Sequence, residues 1–316
     1  MISYLIGLMA MTVYNQTYGA TSIATLMKRY DEISQTAMNM GSFTNLVNTI
    51  KGLAVGITLI LYFIDLSGKV TEKNFSIEQF FKSTLRCVVS YMFIMNSDAI
   101  VGYLMSAGSA LANDITNSDI GYDFFSSEHG ERKTMLINGI EKLGIKDRLS
   151  YIILALIPWL ISMIGEVILQ IVLISRILEI GVMTVFAPIA ISDVYREGTS
   201  SSGVQYMKKM LALGMQVAVI LLINIATQAI ISQIMGTDGA AGQTVASLLV
   251  STQPGGTTSD EALKNGSLVF TTDSIKLFLD TLFGHGDRLK VLGIMLARLG
   301  LIWNSLPLCE EITGAR

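Results

Sequence analysis

Charged residues are scarce in this chain of 316 residues. Lysine, arginine, aspartate and glutamate make up 15% of it and hydrophobic residues 51%, whereas soluble domains carry about 25% charged residues. A soluble domain of this length would need far more polar surface to cover its core. The composition therefore predicts an integral membrane protein. The net charge of −3 also gives no basic field for binding nucleic acid.

Residues that carry metal or catalytic chemistry are equally few. The chain has two cysteines and two histidines, and His129 and His285 are far apart and lack further ligands at metal spacing. Residues 236–244, GTDGAAGQT, superficially resemble a phosphate-binding loop. They lack the Gly-Lys-Ser/Thr ending that supplies the phosphate-binding lysine. We therefore expect no enzymatic activity, no metal and no cofactor.

Long apolar runs are what the chain does have. The longest covers residues 151–192, where Glu166, Arg176 and Glu179 are the only charged residues, although about 20 apolar residues suffice to cross a bilayer. These runs predict an all-α polytopic membrane helix bundle with about five transmembrane helices. A hairpin near Arg176 would give six, but no glycine or proline marks a turn there, so we favour one long helix. The other apolar segments are residues 46–64, 85–112, 210–235 and 291–306.

The polar segments suggest how the chain is organised. Residues 1–44 are predicted to form exposed amphipathic or interfacial helices, and residues 45–316 the transmembrane bundle. Within the bundle, residues 113–148 and 236–287 are long connections of acidic net charge. They are predicted to be exposed loops that face outward.

Basic residues predict the orientation in the membrane. The most basic short connections are residues 65–86 and 193–209. The positive-inside rule places such connections in the cytoplasm. With five spans, the N-terminus is then expected outside and the C-terminus in the cytoplasm.

Glu166 is the first candidate for a functional residue. Ser162, Glu166 and Gln170 follow one another at intervals of four, so they share one helix face. An ionised carboxylate facing lipid costs several kcal/mol, so this face should meet protein or water. Glu166 and Gln170 could line a conduit. Alternatively, Glu166 could pair with a basic residue of another helix, such as Lys51, or be kept neutral.

A second polar stripe lies in the segment 210–235. Its members are separated by multiples of four residues and share one helix face. Amides on one face can line an aqueous path or, more commonly, form hydrogen bonds between helices. The stripe consists of Gln216, Asn224, Gln228 and Ser232.

Three further residues stand out in the first two apolar segments. Asp98 is an acid inside an apolar segment, and it is a second candidate for a conduit-lining or interhelical polar residue. Gly52 and Gly56 form a GxxxG pattern, which permits close approach of two membrane helices.

Two stretches resemble a known family. Residues 185–190, VFAPIA, precede a short polar link, the sequence YMKK and a further apolar helix, and the chain ends with residues 306–314, LPLCEEITG. Together they resemble the polytopic inner-membrane subunit of type IV secretion and conjugation systems. This is the TrbL-type family, equivalent to the sixth component of the VirB apparatus. The residues that carry the likeness are Ala187, Pro188 and Pro307.

The resemblance implies a scaffold and conduit in a bacterial inner membrane. Copies would form a ring-like homo-oligomer, a pentamer by this likeness, with pilin and minor pilin as partners and DNA or protein substrate only in transit. It implies no catalysis and no cofactor. The residues alone leave two alternatives open: a small-solute transporter or permease subunit with a midplane site around Glu166, and a membrane scaffold without a conduit.

Overall fold

A computed structural model describes most of the chain. In the described residues all regular structure is helical, without any strand, which confirms the all-α fold class. The described residues are 1–18, 29, 32–33, 36, 39–71, 76–117, 125, 130–193, 201–234, 245, 248–249, 270–283 and 288–315.

The helices follow the apolar segments, with additional helices between them. In chain order they are α1 (Ile2–Tyr18), α2 (Gly41–Val70), α3 (Ile77–Met95), α4 (Ser97–Asn117), α5 (Gly130–Glu141), α6 (Ile145–Ser192), α7 (Ser202–Ile234), α8 (Thr272–Phe283), α9 (Arg288–Trp303) and α10 (Ser305–Thr313).

Three of these helices, α2, α6 and α7, are long and apolar enough to cross a membrane. The pairs α3 with α4 and α9 with α10 each meet the same criteria together across a bend, which raises the number to as many as five. The protein is therefore a membrane protein with transmembrane helices.

The long apolar run forms one helix. α6 contains 48 residues without interruption, more than twice the number needed to cross a bilayer. The preference for one long helix over a hairpin near Arg176 is confirmed.

The second apolar segment, in contrast, is not one continuous span. α3 ends at Met95, α4 begins at Ser97, and the two helices are bent by 62° relative to each other. Asn96 lies between them with φ −102° and ψ 16°. The single span expected over residues 85–112 is thus broken near its middle.

Contacts divide the chain into two compact units. Unit 1 contains Met1–Leu26, Ile115–Val172 and Ile220–Trp303, and unit 2 contains the remaining residues. This differs from the expected division into residues 1–44 and 45–316, because α1 packs with helices that come much later in the chain.

The core of unit 1 surrounds α1. Ile6, Ala10 and Tyr14 are fully buried, and their spacing of four places them on one helix face. This face packs on α5 and α8, where the Tyr14 ring lies edge-on to Phe125 with centroids 5.3 Å apart and 6.2 Å from the ring of Phe278. One face of α1 is therefore buried in its own chain, which corrects the expectation of an exposed helix.

The two long connections are also more structured than expected. α5 lies within residues 113–148 and α8 within residues 236–287, and both contribute to the core of unit 1. A Cβ on Gly7 would lie 2.8 Å from Cγ1 of Ile137, so α1 and α5 approach closely. The prediction that both connections are loops is therefore wrong where α5 and α8 form. Within the same connections, residues 118–124, 126–129, 250–269 and 284–287 lie outside the described residues.

In unit 2, α2 and α3 pack against each other. Ser76 caps α3 and forms a reciprocal capping box with Gln79. The carboxylate of Asp65 accepts hydrogen bonds from Lys69 at 2.7 Å and from Ser83, in the second turn of α3, at 2.8 Å. These bonds fasten the end of α2 to the start of α3.

Small residues bring α4 and α7 into backbone contact. A Cβ on Gly108 would overlap the carbonyl group of Gly214, and one on Gly214 would lie 2.9 Å from the carbonyl oxygen of Leu104. Gly52 and Gly56 of the GxxxG pattern have no atom of the described chain within 4 Å of such a Cβ. The close helix contact is therefore made by Gly108 and Gly214 instead.

Candidate functional site

A buried lysine in unit 2 binds both helices of the broken span, α3 and α4. Nζ of Lys51, on α2, donates to the carbonyl oxygen of Met95 at 3.0 Å and lies 2.9 Å from Oδ1 of Asp98. The last carbonyl groups of a helix have no partner within it, so the ammonium group satisfies the end of α3 and the acid at the start of α4 together. The side chain of Lys51 is only 10% exposed, whereas that of Asp98 is 57% exposed.

This arrangement settles where two of the candidate residues lie. Lys51, suggested as a partner for Glu166, pairs with Asp98 instead. Asp98 is held beside the helix break and has an interhelical role. Its exposed part also lines a cavity.

The cavity has a volume of about 780 Å³ and lies within unit 2, in the size range of ligand pockets. Its walls come from the start of α2, the length of α4 and the second half of α6. The charged groups on the walls are Asp98 and Arg176. Arg176 is 4% exposed, and its Nε donates to the carbonyl oxygen of Leu213 at 3.0 Å. Neutral hydrogen-bonding groups also line the cavity, namely those of Asn39, Thr44, Asn48, Ser106, Ser109, Asn113 and Thr184.

A second cation joins three helices at another place in unit 2. Nζ of Lys209, on α7, lies 2.9 Å from Glu179 of α6 and 3.7 Å from Glu310 of α10. Nearby, Nζ of Lys208 donates to the carbonyl oxygen of Gly314, a residue with φ 65° that ends α10 in the left-handed conformation. These contacts fasten the end of the chain to the bundle.

The residues that carry the family likeness lie on α6 and α10. Ala187 and Pro188 are buried near the end of α6. Pro307 is half-buried in the first turn of α10, where its missing N–H costs no helical hydrogen bond. The residues are thus positioned to pack the bundle.

The residues of the amide stripe on α7 belong to different units. Nε2 of Gln216 donates to Oγ of Ser305 at 2.9 Å, so Gln216 connects helices within unit 2. Asn224 and Gln228 belong to unit 1. Asn224 is 1% exposed, and neither its amide nitrogen nor its amide oxygen has a hydrogen-bond partner among the described residues; Nε2 of Gln228 also has none there. The side chain of Ser232 lies outside the described residues.

Glu166 and Gln170 are half-buried on α6. Ser162 on the same face is buried, and no described residue forms a hydrogen bond with its hydroxyl group. Among the described residues, no basic side chain lies within ion-pair distance of Glu166. The neighbouring Gly165 packs against α9, since a Cβ there would lie 2.9 Å from Cδ2 of Leu299. Glu166 is therefore a carboxylate without a counter-charge in the described part of the chain, held beside a tight helix contact.

Arg298 was missed by the sequence reasoning. It is 4% exposed on α9, and its NH1 and NH2 groups donate to the backbone carbonyl oxygen and to Oε1 of Gln16, at the end of α1. Within the described part of the chain it has no carboxylate partner. An arginine inside an apolar segment was the available signal, because intramembrane charges are costly and usually functional.

Comparisons with known proteins find no matching protein-family model, curated protein or solved structure. Among the described residues no three or more histidine, cysteine, aspartate or glutamate side chains are grouped so that they could hold a metal ion. His129, His285 and the loop 236–244 lie outside the described residues.

Proposed function

We propose that the protein is a channel or scaffold subunit of a bacterial type IV secretion machine, of the TrbL type, that assembles with copies of itself in the inner membrane. The observation that carries the proposal is the exposure of α6. Only 28% of its most apolar 18-residue segment is buried within the chain, against 72% for α7. The longest apolar helix therefore offers most of its surface to lipid and to other proteins, as a subunit of an assembly does.

The core of unit 1 supports the same proposal. It is built largely from α1, α5 and α8, none of which is a candidate span. The chain thus has folded helical structure in addition to its spans, to which partners can bind. In the proposed machine these partners are pilin and minor pilin, the N-terminus is outside and the C-terminus is cytoplasmic. DNA or protein substrate passes in transit without a catalytic step.

The test is the mass of the complex in its native setting. The tagged full chain is produced in a bacterium that carries its own secretion genes, extracted in mild detergent and weighed by native mass spectrometry. We expect a homo-oligomer, with five copies by the resemblance, and co-purifying secretion subunits. An unrelated polytopic protein with the same tag is the control. A monomer without secretion subunits would overturn the proposal.

Glu166 supports a second candidate, a small-solute transporter or permease subunit. A half-buried carboxylate without a basic partner among the described residues can hold a cation. The measurement is ion-coupled uptake of a solute into vesicles that contain the protein. Loss of uptake in Glu166→Gln, with the amount of inserted protein unchanged, would favour transport; the absence of any coupled uptake by the native chain would exclude it.

A further inference from the structure

An apolar stripe runs along α6. From Leu149 to Phe186, exposed apolar side chains recur at intervals of three or four residues, and each is between 46% and 68% exposed. The mean interval is close to the helical repeat, so the stripe winds only slowly around the helix. Its members are Leu149, Ile153, Leu156, Leu160, Met163, Val167, Ile171, Ile174, Leu178, Val182 and Phe186.

The stripe is longer than the hydrocarbon core of a bilayer is thick. At about 1.5 Å per residue it extends ~56 Å along the helix, whereas the hydrocarbon core of a bilayer is about 30 Å thick. Even a strong tilt of about 40° lengthens the path through the hydrocarbon only to ~39 Å. Roughly 15 Å of the stripe, or about three side chains, would then lie outside the hydrocarbon core. Protein can cover that part, because large exposed apolar patches mark interaction surfaces.

The area of the stripe is sufficient for a stable protein contact. It contains eleven large apolar residues that are about half exposed, which corresponds to on the order of 1,000 Å² of accessible surface. A standard stable interface needs about 800 Å² from each partner. From Leu149 to Val167 the intervals alternate between four and three residues, the spacing typical of packed helix pairs.

Charge on α6 favours a second copy of this chain as the partner. The stripe itself contains no charged residue. The charges in the apolar part of the helix are held elsewhere: Arg176 is buried, Glu179 pairs with Lys209, and Glu166 is half-buried off the stripe. An identical helix can therefore approach without like-charge repulsion.

We propose that the stripe of α6 is the surface by which copies of this chain associate, α6 packing in parallel on α6 of the neighbouring copy. Copies inserted in the same orientation bring their long helices together in parallel. The proposal rests on the self-assembly stated in the proposed function and names the surface responsible for it. Lipid along the whole stripe is the competing occupant.

The experiment is cysteine cross-linking of the full chain in bacterial membrane vesicles. The two native cysteines are first replaced by alanine, and single cysteines then replace Leu160, Met163 or Val167. Phe63→Cys is the matched control, because Phe63 is 63% exposed on α2, another candidate span. Copper phenanthroline oxidises two thiols to a disulfide and is itself reduced, and the bond forms only where the Cβ atoms approach within about 4.5 Å.

We expect at least ten times more covalent dimer at each stripe position than at Phe63→Cys, at equal expression. The native mass of every variant is measured in parallel. An oligomeric mass without stripe cross-links, or with equal cross-linking at Phe63→Cys, would overturn the α6 interface but not the proposed function. A monomeric mass without cross-links would overturn both and leave lipid as the occupant of the stripe.

Discussion

The ion pair between Lys51 and Asp98 allows a sharp test of the broken span. We consider Lys51→Met, Asp98→Ala and the double variant. Methionine keeps the length of the buried lysine stem but removes the ammonium group. Asp98→Ala leaves that ammonium group in place, 10% exposed and bonded to the carbonyl oxygen of Met95 at 3.0 Å.

The two single variants should differ in their effect on the free energy of unfolding. Lys51→Met loses charge-assisted hydrogen bonds, but Asp98 is 57% exposed and is rehydrated, so we expect a loss of about 1–2 kcal/mol. Asp98→Ala leaves a buried charge without its counter-ion, which costs about 3–5 kcal/mol in a closed core. Because Asp98 faces a cavity rather than a closed core, we expect Asp98→Ala to lose only about 2–3 kcal/mol. The double variant has no buried charge left and should lose no more than Lys51→Met alone.

Unfolding is measured by titration of mixed detergent micelles with sodium dodecyl sulfate, followed by tryptophan fluorescence. The exposed pair Lys276–Asp147, whose side chains are 43% and 44% exposed, provides the control. Its double-mutant cycle should give a much smaller coupling, because water and salt screen an exposed pair. If the losses of unfolding free energy in Lys51→Met and Asp98→Ala simply add in the double variant, the buried pair does not stabilise the bend between α3 and α4, and the reasoning is refuted.

Three further predictions concern other contacts. Gly108→Ala should lower the free energy of unfolding by about 1–3 kcal/mol, because the added methyl group meets a backbone carbonyl group that cannot rotate away. Gly52→Ala, where the added methyl group meets open space, should raise the free energy of unfolding by up to about 1 kcal/mol. Equal effects of the two variants in the same titration would contradict the packing of Gly108 on α7. Asn224→Leu should raise the free energy of unfolding by about 1 kcal/mol, since two buried amide atoms that have no partner among the described residues are removed. A decrease would show that the amide is hydrogen-bonded. The hydrogen bond to Asp147 raises the pKa of Lys276 above its ordinary value of 10.5, so the stability from this pair is present below that pH and is lost as the pH rises through the raised value. Thermal unfolding of Lys276→Met should therefore change less between pH 9 and 12 than that of the native chain, and an identical pH profile would exclude the effect.

The long helix could be predicted from the sequence because its signal is local. Residues 151–192 carry three charges and no turn signal near the middle, and one helix satisfies every backbone group without help from the rest of the chain. The same applies to the existence of α2 and α7. All three are long apolar segments, whose type depends little on which neighbours they contact.

The helices α5 and α8 were missed because their stability depends on distant residues. Each has only 12 residues, which is marginal for an isolated helix, and each lies inside a polar connection. Their apolar side chains gain a core only when α1 packs on them. The sequence shows the apolar positions of α1 but not that its partner helices lie more than a hundred residues away.

The break at Asn96 had a local signal that hydropathy conceals. Asn96, Ser97 and Asp98 are three consecutive residues that favour helix caps, inside an otherwise apolar segment. The outcome also depends on Lys51, which binds the free carbonyl group of Met95. That contact comes from another helix, so the sequence of the segment alone could not decide between a bent and a continuous span.

The position of Glu166 on α6 follows from the same geometry as the stripe. Glu166 precedes the stripe residue Val167 by one position, so its side chain is turned by about 100° from it. Ser162 and Gln170, four residues away on either side, share its direction. If the stripes of neighbouring copies meet, this polar face lies at the flank of the contact, away from its apolar centre. A carboxylate there avoids lipid without interrupting the helix contact, so assembly through the stripe and a polar path beside it are compatible in one helix.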